Sequence, residues 1–139
     1  MDMKTIRYAK SSESQVLDYY HPANAEFVPA IILVHGGAFL FGDQKMELIR
    51  PVIDIAVANG YAVASVDYRK SKEAVFPASV ADVKACVRYI KANAEELRID
   101  PSRIAIWGES AGGYLSLMTA LTPDVEFLNG DITNDLSYN

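Results

Sequence analysis

Short apolar runs alternate along this chain with segments whose apolar positions recur at helical spacing. Ala30-Ile31-Ile32-Leu33-Val34 is apolar throughout, and Tyr61-Ala62-Val63-Ala64-Ser65-Val66-Asp67 nearly so. A run without polar alternation suits a strand covered on both faces, as in a parallel sheet flanked by helices. Between these runs, Pro51 fits a first helical turn, with Val52, Ile53, Ile55, Ala56 and Val57 as its apolar content and Asn59-Gly60 as its stop. Val80, Val83, Val87, Ile90, Ala94 and Leu97 predict a second helix from Ala78 to about Leu97, with one apolar face for the sheet and a charged face opposite. The chain opens with two expected strands, Lys4 to Tyr8 and Gln15 to Tyr20, joined by the polar Lys10–Ser14 segment as an antiparallel edge. His21-Pro22-Ala23-Asn24 breaks the second of them. Ile99-Asp100-Pro101-Ser102 then turns the chain into a last apolar run, Arg103 to Trp107, and Tyr114 to Leu121 continues as a helix former. Strand and helix in alternation imply an α/β domain with a mostly parallel sheet and helices on both faces.

Two junctions in this pattern carry chemistry. Gly108-Glu109-Ser110-Ala111-Gly112-Gly113 lies between the last strand and the last helix. A serine in such a strand-to-helix turn is a nucleophile elbow, with its hydroxyl raised above the sheet and small neighbours that let strand and helix pass closely. A bare GxSxG is a weak signal, and the strand before it and helix after it strengthen the reading. The second junction, His35-Gly36-Gly37-Ala38-Phe39, ends the Ala30–Val34 strand. Acyl transfer through serine builds negative charge on a carbonyl oxygen, which backbone N–H donors stabilise, and glycines present those donors without a side chain in the way. Taken alone it is as readily a glycine turn.

Composition narrows the partners. The 139 residues carry 13 basic and 18 acidic side chains, a net charge of −5, which argues against nucleic acid. One domain over residues 1–139 is expected, with 121–139 as a loop or irregular tail. No run has signal-peptide or membrane-span character, so a soluble cytoplasmic protein is expected, with no membrane partner. Cys86, the single cysteine, falls among packing positions of its helix. One cysteine and two separated histidines make no recognisable metal site, and the 108–113 loop lacks the lysine of a phosphate loop. No metal, nucleotide or other cofactor is expected.

These blocks, together with Asp67-Tyr68-Arg69, Phe76-Pro77-Ala78, Asp82-Val83-Lys84 and Ile99-Asp100-Pro101-Ser102-Arg103-Ile104, occur in the order seen in α/β-hydrolase esterases. The chain resembles the hormone-sensitive-lipase-like carboxylesterases, and more closely, through His35–Phe39 followed by Gly42-Asp43, the group containing feruloyl and acetyl-xylan esterases. The resemblance runs from about Gln15 to Leu121. It implies a carboxylic-ester hydrolase for small acyl esters or acylated sugars, with Ser110 as nucleophile. The N–H of Ala111 with those of Gly36 and Gly37 or Ala38 would form the oxyanion hole, aided by the dipole of the helix that follows Ser110. His35, Asp67, Tyr68 and Arg69 would hold the loops, and Glu109 would line the pocket.

The chain departs from this family where the triad should be completed, because the acid and histidine lie on later strands. No histidine follows Ser110; the chain holds only His21 and His35, and neither is expected to act as base. Asp124, Asp131 and Asp135 follow the elbow but are expected on a solvated loop. The expectation is therefore an α/β-hydrolase fold truncated after the elbow helix, with its elbow strand an exposed edge that a second copy or a partner chain would cover. The alternative is an inactive fragment or an acyl-binding module of the same fold.

Overall fold

The computed structural model describes residues 1–132 and 136–138. Five strands form one mixed sheet in the order β1-β2-β4-β3-β5. They are β1 (Asp2–Arg7), β2 (Val16–His21), β3 (Val28–Val34), β4 (Ala62–Val66) and β5 (Ile99–Gly108). β3, β4 and β5 run parallel, whereas β1 and β2 pair antiparallel to each other and β2 pairs antiparallel to β4. Helix α1 (Arg50–Ala58) links β3 to β4, α2 (Ala78–Ala92) links β4 to β5, and α3 (Ala111–Leu121) follows β5.

Alternation along the strands explains the layering. Ala30, Ile32 and Val34 of β3 pack with Val80, Val83, Cys86 and Ile90 of α2 and Leu115 of α3. The residue between them, Leu33, packs with Ile53 and Ala56 of α1 on the other face. β3 is therefore apolar at every position because both of its faces are covered. Burying Ile32, Leu33 and Leu115 completely stabilises the fold by about 2 kcal/mol each relative to exposure. Cys86 lies wholly inside the larger cluster, where burial pushes its thiol far above its usual titration range.

β1 and β2 lie one or two residues from their expected bounds, with His21, expected to break the second strand, as its last residue, and two boundaries differ by more. α2 stops at Ala92, not near Leu97, because the Asn93 amide bonds back to the Tyr89 carbonyl at 2.8 Å and the chain turns through Arg98 at φ +55°. Ala94 and Leu97 still reach the core, from turns rather than from helix. The expected turn at 99–102 lies inside β5 as an irregularity. Val28 pairs with Ile99 and Ala30 with Ile104, so β5 carries extra residues there, closed by Asp100 accepting from the Ser102 N–H at 2.9 Å and from Arg103 Nε at 2.6 Å.

After α3 the chain folds back across α2. Leu128 and Ile132 are buried, Lys84 Nζ donates to the Thr122 carbonyl, and Arg88 reaches Asn129 Oδ1 at 3.3 Å and the Ile132 carbonyl at 3.2 Å. The charged face of α2 is thereby roofed by protein, and Asp82, Lys84 and Arg88 are all buried with partners. Among the described residues no helix is long and apolar enough to cross a membrane.

Candidate active site

The register of β3 against β5 sets Val34 beside Gly108. The two chemistry-bearing junctions therefore leave the sheet side by side, at the carboxyl ends of adjacent parallel strands, where open α/β sheets bind ligands. β3 connects to β4 on one side and β5 lies on the other, so this is also a point of strand-order reversal.

At the end of β5, Ser110 adopts φ +52° and ψ −120°, a conformation that side-chain-bearing residues rarely hold. The residues around it fix this geometry: the Gly112 N–H donates to the Glu109 carbonyl at 2.8 Å and the Tyr114 N–H to the Ser110 carbonyl at 3.1 Å, starting α3 directly after the serine. Ser110 is exposed, at the head of a helix whose N-terminal dipole favours negative charge.

The loop after β3 is as unusual. Gly37, Ala38 and Phe39 have φ of +129°, +53° and +62° in succession, and the Leu40 and Phe41 N–H groups close back on the Gly37 carbonyl. A Cβ at Gly37 would stand 2.0 Å from the Phe41 carbonyl oxygen, so only glycine fits this turn. The His35 ring, fully buried, donates from Nδ1 to the Gly36 carbonyl at 2.6 Å, while its Nε2 lies 3.0 Å from Asp67 Oδ1. It stacks on Tyr68 at 4.5 Å between ring centroids, and the Tyr68 hydroxyl donates to the His35 carbonyl at 2.9 Å. Asp67 in turn accepts from the Tyr68 N–H and from Lys70, and the Ser71 N–H donates to the Phe39 carbonyl at 2.8 Å. The loop is thus braced by the segment that follows β4. Both His35 nitrogens are engaged, Nδ1 with the Gly36 carbonyl and Nε2 with Asp67, and neither is hydrogen-bonded to Ser110.

A cavity of about 420 Å³ opens beside Ser110. Phe39, Phe76 and Tyr114 form an aromatic wall, with Phe39 and Tyr114 edge to face at 5.7 Å, and Arg69, Ser71 and Ser79 form a polar one. Arg69 is clamped between two carboxylates: Nη2 donates to Asp82 Oδ1 at 2.8 Å and to Asp131 Oδ1 at 2.7 Å, and Nη1 to Asp131 Oδ2 at 3.0 Å. Gln15 Nε2 holds Asp82 from behind at 2.9 Å. Burial raises the Asp82 carboxyl above its usual range, against the pull of Arg69 and Gln15, whereas the Arg69 N–H groups hold Asp131 below it. Glu109 Oε2 is buried against Gly36 without a hydrogen-bond partner among the described residues.

The expected site residues Ser110, Ala111, Gly36, Gly37 and Ala38 are brought to one edge of the sheet. His21 is not: it ends β2, which runs antiparallel to β4, so it lies at the opposite end of the sheet, 2.9 Å from the Pro22 carbonyl through Nδ1. Asp124 is exposed, Asp131 is committed to Arg69 instead of lying free on a solvated loop, and Asp135 falls outside the described residues. Sequence reasoning missed the cavity walls. The Phe76-Pro77 and Asp67-Tyr68-Arg69 blocks carried part of that signal, but nothing in their spacing shows that they converge on Ser110. Among the described residues no group of three or more His, Cys, Asp or Glu could hold a metal ion.

In the comparison with known proteins, the BD-FAE family model matches residues 17–139. The chain belongs to the BD-FAE family. Among the relatives of this BD-FAE chain, Carboxylesterase NlhH of Mycobacterium tuberculosis is 35% identical over 127 residues, which is 90% of this chain and 39% of the relative. A truncated carbohydrate esterase from gut microbiota is 38% identical with a TM-score of 0.77, over 84% of this chain and 42% of that one. Est2 of Thermogutta terrifontis, with butyrate bound, is 29% identical with a TM-score of 0.75, over 82% of this chain and 42% of that one. The BD-FAE chain thus has the α/β-hydrolase fold and spans about two fifths of the length of these relatives.

Proposed function

We propose that this chain carries the nucleophile and oxyanion-binding part of a serine carboxylesterase acting on small esters, with short acyl groups or acylated sugars as substrates. The observation that carries the reading is Ser110 held at φ +52° and ψ −120° beside the Gly36–Phe39 loop, at the mouth of the cavity. Ser110 Oγ attacks the ester carbonyl, and the negative oxygen that forms is met by the N–H of Ala111 and those of Gly36 and Gly37 or Ala38. Collapse of that intermediate expels the alcohol, which takes up the proton that left Ser110 Oγ, and leaves an acyl group on Ser110. The carbohydrate esterase and butyrate-bound relatives support the substrate class, as does a cavity of this size with one aromatic and one polar wall.

Both that proton transfer and the later deacylation by water need a base. His21 is at the wrong end of the sheet and His35 has both nitrogens engaged, so the acid and histidine come from outside the described residues. Without them the serine is a poor nucleophile, and loss of triad members costs on the order of a millionfold in turnover. The same two observations favour a second reading, an acyl-binding module that keeps the pocket without turnover. β5 pairs only with β3 among the described residues, and its own Trp107 is exposed, which supports a second copy or partner chain on this edge. Hydrolysis of 4-nitrophenyl butyrate by the 139-residue chain and by Ser110→Ala separates the readings. Release of nitrophenol that disappears in Ser110→Ala supports the esterase reading, and reversible butyrate binding with no release supports the module.

A further inference from the structure

Taking the cavity beside Ser110 as the substrate pocket, we propose that Asp131 sets the charge specificity of that pocket: by closing the fork of Arg69 it turns away esters that carry a carboxylate and admits neutral ones. A guanidinium has five N–H donors. Arg69 Nε is spent on both oxygens of Asp82, at 3.1 and 3.0 Å, Nη2 on Asp82 and Asp131, and one N–H of Nη1 on Asp131. One Nη1 donor is left, which suits a single hydroxyl, ether or carbonyl oxygen, whereas a carboxylate is recognised by a pair of parallel donors.

The charge balance points the same way. Two carboxylates face one guanidinium, Arg69 is the only cation lining the cavity among the described residues, and Lys70 close by is paired with Asp67. Glu109, next to the nucleophile, adds a further acidic side chain with one oxygen that has no hydrogen-bond partner among the described residues. Ser71 and Ser79 complete the wall with neutral hydroxyls. The two acids that grip Arg69 differ in how removable they are. Asp82 is fully buried and is also held by Gln15 and the Arg69 N–H at 2.8 Å. The Asp131 side chain is 54% exposed and its side-chain contacts are with Arg69, so it can be replaced without opening the core.

The test compares two esters of one shape, methyl 4-acetoxybenzoate and the anionic 4-acetoxybenzoate, by the rate of acetylation at Ser110 read by mass spectrometry. The unreactive phenols, methyl 4-hydroxybenzoate and 4-hydroxybenzoate, give the same comparison by titration without any chemistry. The intact chain should favour the neutral member of each pair by about tenfold, and Asp131→Ala should shift that ratio toward the anion by about tenfold or more. Asp124→Ala, which removes an exposed charge on the same segment, should leave the ratio unchanged. A ratio indifferent to Asp131, or shifted equally by Asp124→Ala, overturns the proposal while leaving the pocket intact. If the neutral phenol does not bind and neither ester labels Ser110, the pocket itself is misassigned and the proposal falls with it.

Discussion

Gly112 of α3 lies directly against Val34 of β3: a Cβ on Gly112 would stand 2.0 Å from the Val34 carbonyl oxygen and 2.7 Å from that of His35. This contact lets the elbow helix press down on the strand that carries the glycine loop, and it fixes the spacing of the two junctions. Gly112→Ala should therefore destabilise the chain by about 3 kcal/mol, since the obstacle is backbone that cannot turn aside. Gly113, one residue on, has its nearest obstacle at 3.2 Å. There the gain in helix propensity, about 1 kcal/mol, offsets the tighter contact, and Gly113→Ala should be close to neutral. Urea unfolding of the two variants checks the contrast.

Ser110 holds a positive φ with a side chain attached, at a cost of order 1 kcal/mol or more. Ser110→Gly should relieve that strain and raise the midpoint of thermal unfolding, while Ser110→Ala should leave it near the parent value. A Ser110→Gly chain no more stable than Ser110→Ala would show that the elbow stores no strain.

The clamp on Arg69 makes an acid-sensitive tie. Asp131 has its carboxyl depressed by Arg69, so the stability it adds is complete above the unfolded value near ~3.9 and is lost as pH falls through the lower folded value. The unfolding temperature of the parent chain should thus fall more steeply below about pH 4 than that of Asp131→Asn. Asp82, raised by burial, contributes a slope of the opposite sign in both proteins.

Cys86 gives a clean report on global unfolding. It is fully buried and its thiol is pushed far above neutral pH, so it should resist a thiol reagent in the native chain and react in urea in step with unfolding. Rapid labelling without denaturant would show that α2 opens locally.

Strands and helices were readable wherever a residue's neighbours in sequence are also its neighbours in function. The Ala30–Val34 run reads as a doubly covered strand because each residue is apolar, and the elbow reads as an elbow because strand, serine and glycines are contiguous. What stayed hidden depends on the chain returning to itself. The charged side chains of α2 carry no mark of burial, because the 122–132 segment that covers them lies more than thirty residues further on. Arg69 reads as a loop-holding residue, and only the fold shows that its guanidinium walls the cavity between Asp82 and Asp131. The end of α2 is not legible in the sequence, because Ala94 and Leu97 keep helical spacing while the Asn93 amide has already turned the backbone.

The most direct test of the Ser110 assignment is to incubate the 139-residue chain with excess 4-nitrophenyl butyrate, measure its intact mass and map the modified peptide. The expected result is one butyryl group, on the peptide containing Ser110, released only slowly and absent from Ser110→Ala. Persistence of that adduct follows from a bound acyl group with no histidine free to activate water. A butyryl group that remains in Ser110→Ala, or that maps to a peptide without Ser110, would contradict the assignment of Ser110 as the nucleophile.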